Sequence, residues 1–145
     1  MNLIRRSKKN LSEVGMTQIN KWKKPFYVER GDVYMADLGK EEDVIGSEQF
    51  GVRPVAVTSA NFLNRKSPTV IVAAITSELK KTGMHTHVML PAGLLPKASM
   101  VLCEQRFTID KQRLIKYCCK LDQETMKQVT RACRKAEAAD KEKRS

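Results

Sequence analysis

The sequence predicts a mainly β domain with some α: short, mostly antiparallel strands in a small, partly closed barrel, with one helix at the C-terminal end. Three observations carry this. Thr69-Val70-Ile71-Val72-Ala73-Ala74-Ile75-Thr76 is a continuous β-rich run that fits a strand buried on both faces. Other short apolar runs are separated by glycine, proline and polar residues. Near the C-terminus a helical period takes over, with Met126, Val129, Cys133 and Ala136 on one stripe.

The elements follow in order. Residues 1–29 read as a basic extension; Leu11, Val14, Gln18, Ile19 and Trp22 lie near one face of a weak helix that Gly15 interrupts and Pro25 ends. The domain spans 30–139 and opens at Arg30-Gly31-Asp32, with a strand over Val33–Leu38. Gly39–Gly51 is polar, glycine-bearing and acidic at Glu41-Glu42-Asp43, and reads as a long mobile loop. Pro54–Thr58 is the next strand and Asn61–Pro68 a loop. After the Thr69–Thr76 strand come strands over Thr86–Leu90 and Ser99–Gln105. Asp110 can cap a short helix through Ile115, and Tyr117–Lys120 is the last strand. Asp122 caps the long helix, from Gln123 to about Ala139. Residues 140–145 form a charged tail.

The chain has 145 residues, enough for one core. Hydrophobic residues make up 41% and charged residues 30%, as in an ordinary globular domain. No apolar run is long enough to span a membrane. The formal net charge is +11, and most of it sits at the ends. Residues 1–30 carry eight basic and two acidic side chains, and 131–145 carry six and three. Basic ends attract nucleic acid, anionic lipid or an acidic protein, and charge alone does not choose among them. Cys103, Cys118, Cys119 and Cys133 form no Cys-x-x-Cys knuckle, so the reading is a reduced cytoplasmic chain with free thiols and no zinc site. The basic N-terminus has no apolar stretch behind it and is not read as a signal peptide.

Phosphate-loop, dinucleotide, zinc-protease and serine-elbow motifs are missing from the sequence. His85 and His87 would share one strand face, where they can join a metal given a third ligand or stand as two polar residues in solvent; the second reading is favoured. The most informative stretch is Gly46-Ser47-Glu48-Gln49-Phe50-Gly51-Val52-Arg53-Pro54-Val55. A polar loop delivers Arg53 one residue before the proline of a buried strand. Its guanidinium offers planar, paired donors that match phosphate oxygens, or it pairs with a carboxylate.

That block falls in order with Arg30-Gly31-Asp32-Val33-Tyr34, Ser67-Pro68 leading into Thr69–Thr76, Thr86-His87-Val88 and Leu102-Cys103-Glu104-Gln105. In this combination the chain resembles the MazF/PemK toxin family of bacterial type II toxin–antitoxin systems, over about residues 30–136. The resemblance implies an SH3-like plasmid-toxin barrel with a C-terminal helix. It implies a homodimeric endoribonuclease that needs no metal or other cofactor, cuts single-stranded mRNA at a short sequence, and is blocked by a cognate antitoxin. It places the catalytic pair at Arg53 and Thr76, and RNA contacts at Ser47, Glu48, Gln49, Ser77 and Gln105, with Gln105 reading a base. Glu48 is either a base or an RNA contact, and the acid for the leaving oxygen has no assigned residue.

Three features depart from the family pattern: the acidic run Lys40-Glu41-Glu42-Asp43, Phe50 where glycine is common, and Arg106-Phe107 where an aliphatic residue and an arginine are usual. The rival readings are a gyrase-binding toxin on the same barrel and a catalytically weak RNA-binding relative.

Overall fold

The computed structural model describes residues 27–46 and 49–138. The 1–26 part of the extension, Ser47, Glu48 and the charged tail lie outside the described residues.

Six strands form one antiparallel sheet: β1 (Asp32–Asp37), β2 (Val52–Val57), β3 (Thr69–Thr76), β4 (His87–Met89), β5 (Met100–Asp110) and β6 (Leu114–Lys120). Their spatial order is β4-β5-β3-β2-β1-β6. A short helix α1 (Asn61–Lys66) links β2 to β3, and α2 (Gln123–Glu137) follows β6.

Side chains alternate along the strands and fill two main cores, beside a small cluster of Ala74, Met100 and Leu102. Val33, Ala56, Ala73 and Ile75 pack with Met126, Val129, Ala132 and Cys133 of α2. Tyr34, Ala36, Val55, Val57, Val70 and Val72 form the other core, joined by Val28 and Ile109. No α1 or α2 residue belongs to that second core, so the sheet must curl over itself to bury it. Register shifts within the β1–β6 and β3–β5 ladders add the necessary bend. Packing thus begins at Val28, two residues before Arg30.

The β1–β2 hairpin carries the long loop. Leu38 N–H donates to the Gly51 carbonyl at 2.9 Å, and Gly51 N–H to the Gly39 carbonyl at 2.8 Å. Gly39 and Gly51 have φ of 101° and 79°, a conformation costly to other residues. The acidic run within the loop forms a single 3-10 turn, Glu41–Asp43.

Several boundaries differ from the sequence reading. Asn61–Lys66 is helical, although its first residue follows Ala60, which offers no side-chain cap. Buried Asn64 holds it instead, donating to the Ser59 carbonyl at 2.9 Å and accepting from the Ser59 hydroxyl at 2.5 Å. The fifth strand continues to Asp110, because Thr69–Ala73 of β3 template Arg106–Asp110. Asp110 caps one 3-10 turn, Lys111–Arg113, rather than a helix; β6 starts at Leu114, drawn into pairing with Ala36. Asp122 caps α2 as expected, its carboxylate accepting from Thr125 N–H at 2.7 Å. Ala132 joins the buried stripe of α2, and Ala136 is exposed.

Candidate active site

Arg53 and Thr76 are brought together by the β2–β3 ladder. Val55 pairs with Ala74, Ala56 with Ala73 and Val57 with Val72. Continuing that register by two residues sets Arg53 opposite Thr76. The ladder itself stops at Val55, and a cleft of about 650 Å3 lies at this level. Arg53, Thr76, Ser77 and Gln49 all line it.

Arg53 is exposed on the first half of β2. Its Nε donates to the Phe50 carbonyl at 2.9 Å, and its guanidinium lies 5.6 Å from the centre of the Phe50 ring. Its terminal nitrogens make no hydrogen bond or ion pair among the described residues. The carboxylate pairing considered from the sequence is therefore not made among the described residues, where the two terminal nitrogens stay without a partner. Thr76 ends β3, and its hydroxyl accepts from Glu78 N–H at 3.0 Å. A hydroxyl has one proton of its own, so Thr76 can still donate.

Gln49 also borders a second cleft, of about 660 Å3, together with Gln105. Gln49 Nε2 donates to Gln105 Oε1 at 3.0 Å. Gln105 reaches this position through a bulge: Ala74 pairs with Leu102 but Ala73 with Arg106, leaving Cys103-Glu104-Gln105 outside the β3 register. Ile45, Phe107 and Ile109 give the second cleft apolar walls, and Arg106 and Arg113 give it charge.

His85 and His87 do not share a strand face. His85 is exposed in the turn before β4. The His87 side chain is only 6% exposed; its Nε2 lies 3.0 Å from Glu104 and its Nδ1 3.0 Å from the Lys81 carbonyl. Glu104 also accepts from the Thr86 hydroxyl at 2.9 Å. Burial pushes the Glu104 carboxyl up, but its hydrogen bonds to His87, backbone and Thr86 outweigh this and leave it below the usual glutamate value. His87 is therefore a buried brace between β4 and β5, a pairing the sequence spacing did not reveal. Among the described residues, no group of three or more His, Cys, Asp or Glu is placed to hold a metal ion.

The sequence reading also missed Lys97, Lys116 and Cys118, which line the Arg53 cleft. No local motif marks them; they arrive from the segment before β5 and from β6. Burial raises the Cys118 thiol above its ordinary value despite the lowering field of Lys116, so it stays protonated.

The family model of PemK-like, MazF-like toxins of type II toxin–antitoxin systems matches residues 29–136. The chain belongs to this family. Endoribonuclease EndoA of Bacillus subtilis (strain 168) is 50% identical over 107 residues, covering 72% of this toxin and 90% of the relative. An endoribonuclease solved in complex with its cognate antitoxin, from Mycobacterial species, superposes with a TM-score of 0.62 at 25% identity, over 75% of this chain and 93% of that one. MazF from Deinococcus radiodurans gives a TM-score of 0.64 at 22% identity over 76% and 96%, a likeness of fold. The toxin's six-stranded antiparallel sheet with its C-terminal helix is thus the architecture of its family. Among the described residues, no helix is long and apolar enough to cross a membrane.

Proposed function

We propose that this toxin is a sequence-specific endoribonuclease that cuts single-stranded mRNA without a metal, within residues 30–139. The observation that carries the reading is the Arg53 guanidinium, whose terminal nitrogens have no partner among the described residues, on the wall of a cleft that also holds the Thr76 hydroxyl. The identity to an endoribonuclease supports it.

The ribose 2′-oxygen attacks phosphorus, the bond to the 5′-oxygen breaks, and the products are a 2′,3′-cyclic phosphate and a 5′-OH. The 2′-OH proton leaves to a base, for which Glu48 is the candidate, and the 5′-oxygen takes a proton from an acid with no assigned residue. The phosphorane gathers negative charge on its non-bridging oxygens. Arg53 stabilises that charge with two donors, and Thr76 adds a third hydrogen bond. Ser47, Glu48, Gln49 and Ser77 hold the strand, and Gln105 reads a splayed base by its edge. The working molecule is a cytoplasmic homodimer, and a cognate antitoxin silences it by covering the clefts. The Arg53–Thr76 pair weighs against the gyrase-binding reading.

The test is to incubate the antitoxin-free toxin with a long single-stranded RNA in EDTA, beside Arg53→Ala, and to map the new 5′ ends. Discrete cuts with 5′-OH ends are expected, slowed in the variant by about 10²–10³-fold or more. Full activity in Arg53→Ala overturns the assignment, and intact RNA across varied sequences overturns the nuclease.

A further inference from the structure

Arg106 borders two cavities, and the second has no part in the cleavage described above. It is a depression of about 190 Å3 between β5 and α2, where Arg30, Arg106, Arg134, Thr130, Cys133 and Glu137 meet. Three arginines thus line the depression with one acidic residue. Arg30 donates to the Thr58 carbonyl and the Thr130 hydroxyl, neither of which neutralises its charge. Arg106 donates through Nε to the Cys103 carbonyl at 3.2 Å and through a terminal nitrogen to Glu137. The Glu137 side chain is 70% exposed, so water screens that pair and the carboxylate can swing away. Arg134 is exposed in the last turn of α2, and its side chain makes no hydrogen bond or ion pair among the described residues. The Cys133 thiol is held below its ordinary value, chiefly by its hydrogen bond with Cys103 and further by the fields of Arg106 and Arg30.

We infer that this depression is a second phosphate-binding subsite for the RNA strand, joined to the base-reading cleft through Arg106. The inference takes its ligand from the ribonuclease reading. Paired guanidinium donors suit phosphodiester oxygens, and the Glu137 carboxylate occupies the place an incoming phosphate takes over. Gln105 lines the first cavity and Arg106, the next residue of β5, lines both, so one residue links the base-reading cleft to Arg30 and Arg134. A long RNA gains this contact, and one confined to the cut site does not. Arg106, which departs from the family's usual aliphatic residue, thereby acquires a role.

The test uses the full chain, Arg134→Gln and the charge-preserving Arg134→Lys. The probes are a long and a short single-stranded RNA, each with a 2′-deoxy residue at the mapped cut to block attack. Binding is read by fluorescence anisotropy across a salt series. For the long RNA, Arg134→Gln is expected to weaken binding several-fold and flatten the slope of log K against log salt by about 0.7, the value of one lost phosphate contact on a single strand. Arg134→Lys keeps most of the slope, and the short RNA binds all three proteins equally. The inference is overturned if Arg134→Gln matches the parent on the long RNA, if the short RNA loses as much, or if only the melting temperature moves. Cutting of unblocked RNA by the parent is scored separately: its absence sinks the nuclease, while the difference between long and short probes still decides the subsite.

Discussion

Among the described residues, the Arg53 guanidinium is tied down at one nitrogen and has no partner at the other two. The Phe50 carbonyl takes Nε, and the ring of the same residue lies beside the guanidinium. This orders a long side chain before any ligand arrives and leaves its charge exposed in the cleft. Gln49 and Gln105 make a comparable arrangement from two amides, one from the loop and one from the β5 bulge. An amide pair of this kind presents donors and acceptors that match a base edge. Gln105→Ala is therefore expected to relax base preference at one position of the cut sequence while Arg53-dependent cutting persists. Sequencing the cut ends from a random RNA pool checks this; an unchanged preference removes Gln105 from base reading.

At the scale of elements, β4 is a three-residue edge strand held by polar contacts as well as by its ladder. His87 and Thr86 both reach Glu104 across the β4–β5 pair. The folded chain keeps Glu104 ionised to lower pH than the unfolded chain does. Its contribution to stability is complete above the ordinary glutamate value of 4.5 and is lost as pH falls through the lower folded value. Glu104→Gln should melt below the parent at neutral pH, and the two curves should converge in acid. Melting temperatures that stay equally far apart at every pH would remove Glu104 ionisation as the cause. The same scale shows where local pattern falls short. The Thr69–Thr76 strand and the Asp122 cap were legible because each rests on its own residues. Helix α1 was not, because its anchor is a buried asparagine bonded to Ser59 outside the helix. Strand β5 outran its own apolar stretch because β3 supplied the partner.

For the whole molecule, curvature decides what meets. The β2–β3 ladder stops short of Arg53 and Thr76, and the cleft between them also receives Lys97 and Lys116 from distant segments. Large apolar side chains stay exposed on β2 and β6, with Val52 at 55% and Ile115 at 57%. Sedimentation is expected to give twice the 16.4 kDa of one chain. A monomer at concentrations where RNA is cut would overturn the dimer.

By itself the sequence determined the mainly β class, the capped C-terminal helix and the family, because periodicity, caps and ordered motifs are properties of neighbouring residues. Tertiary structure alone decided which strands curl around the second core, that Gln105 leans on Gln49, that His87 is a brace, and that Arg106 lies between two basic cavities. Those outcomes depend on register, bulges and curvature, which bring together side chains far apart along the chain and leave no trace in local spacing.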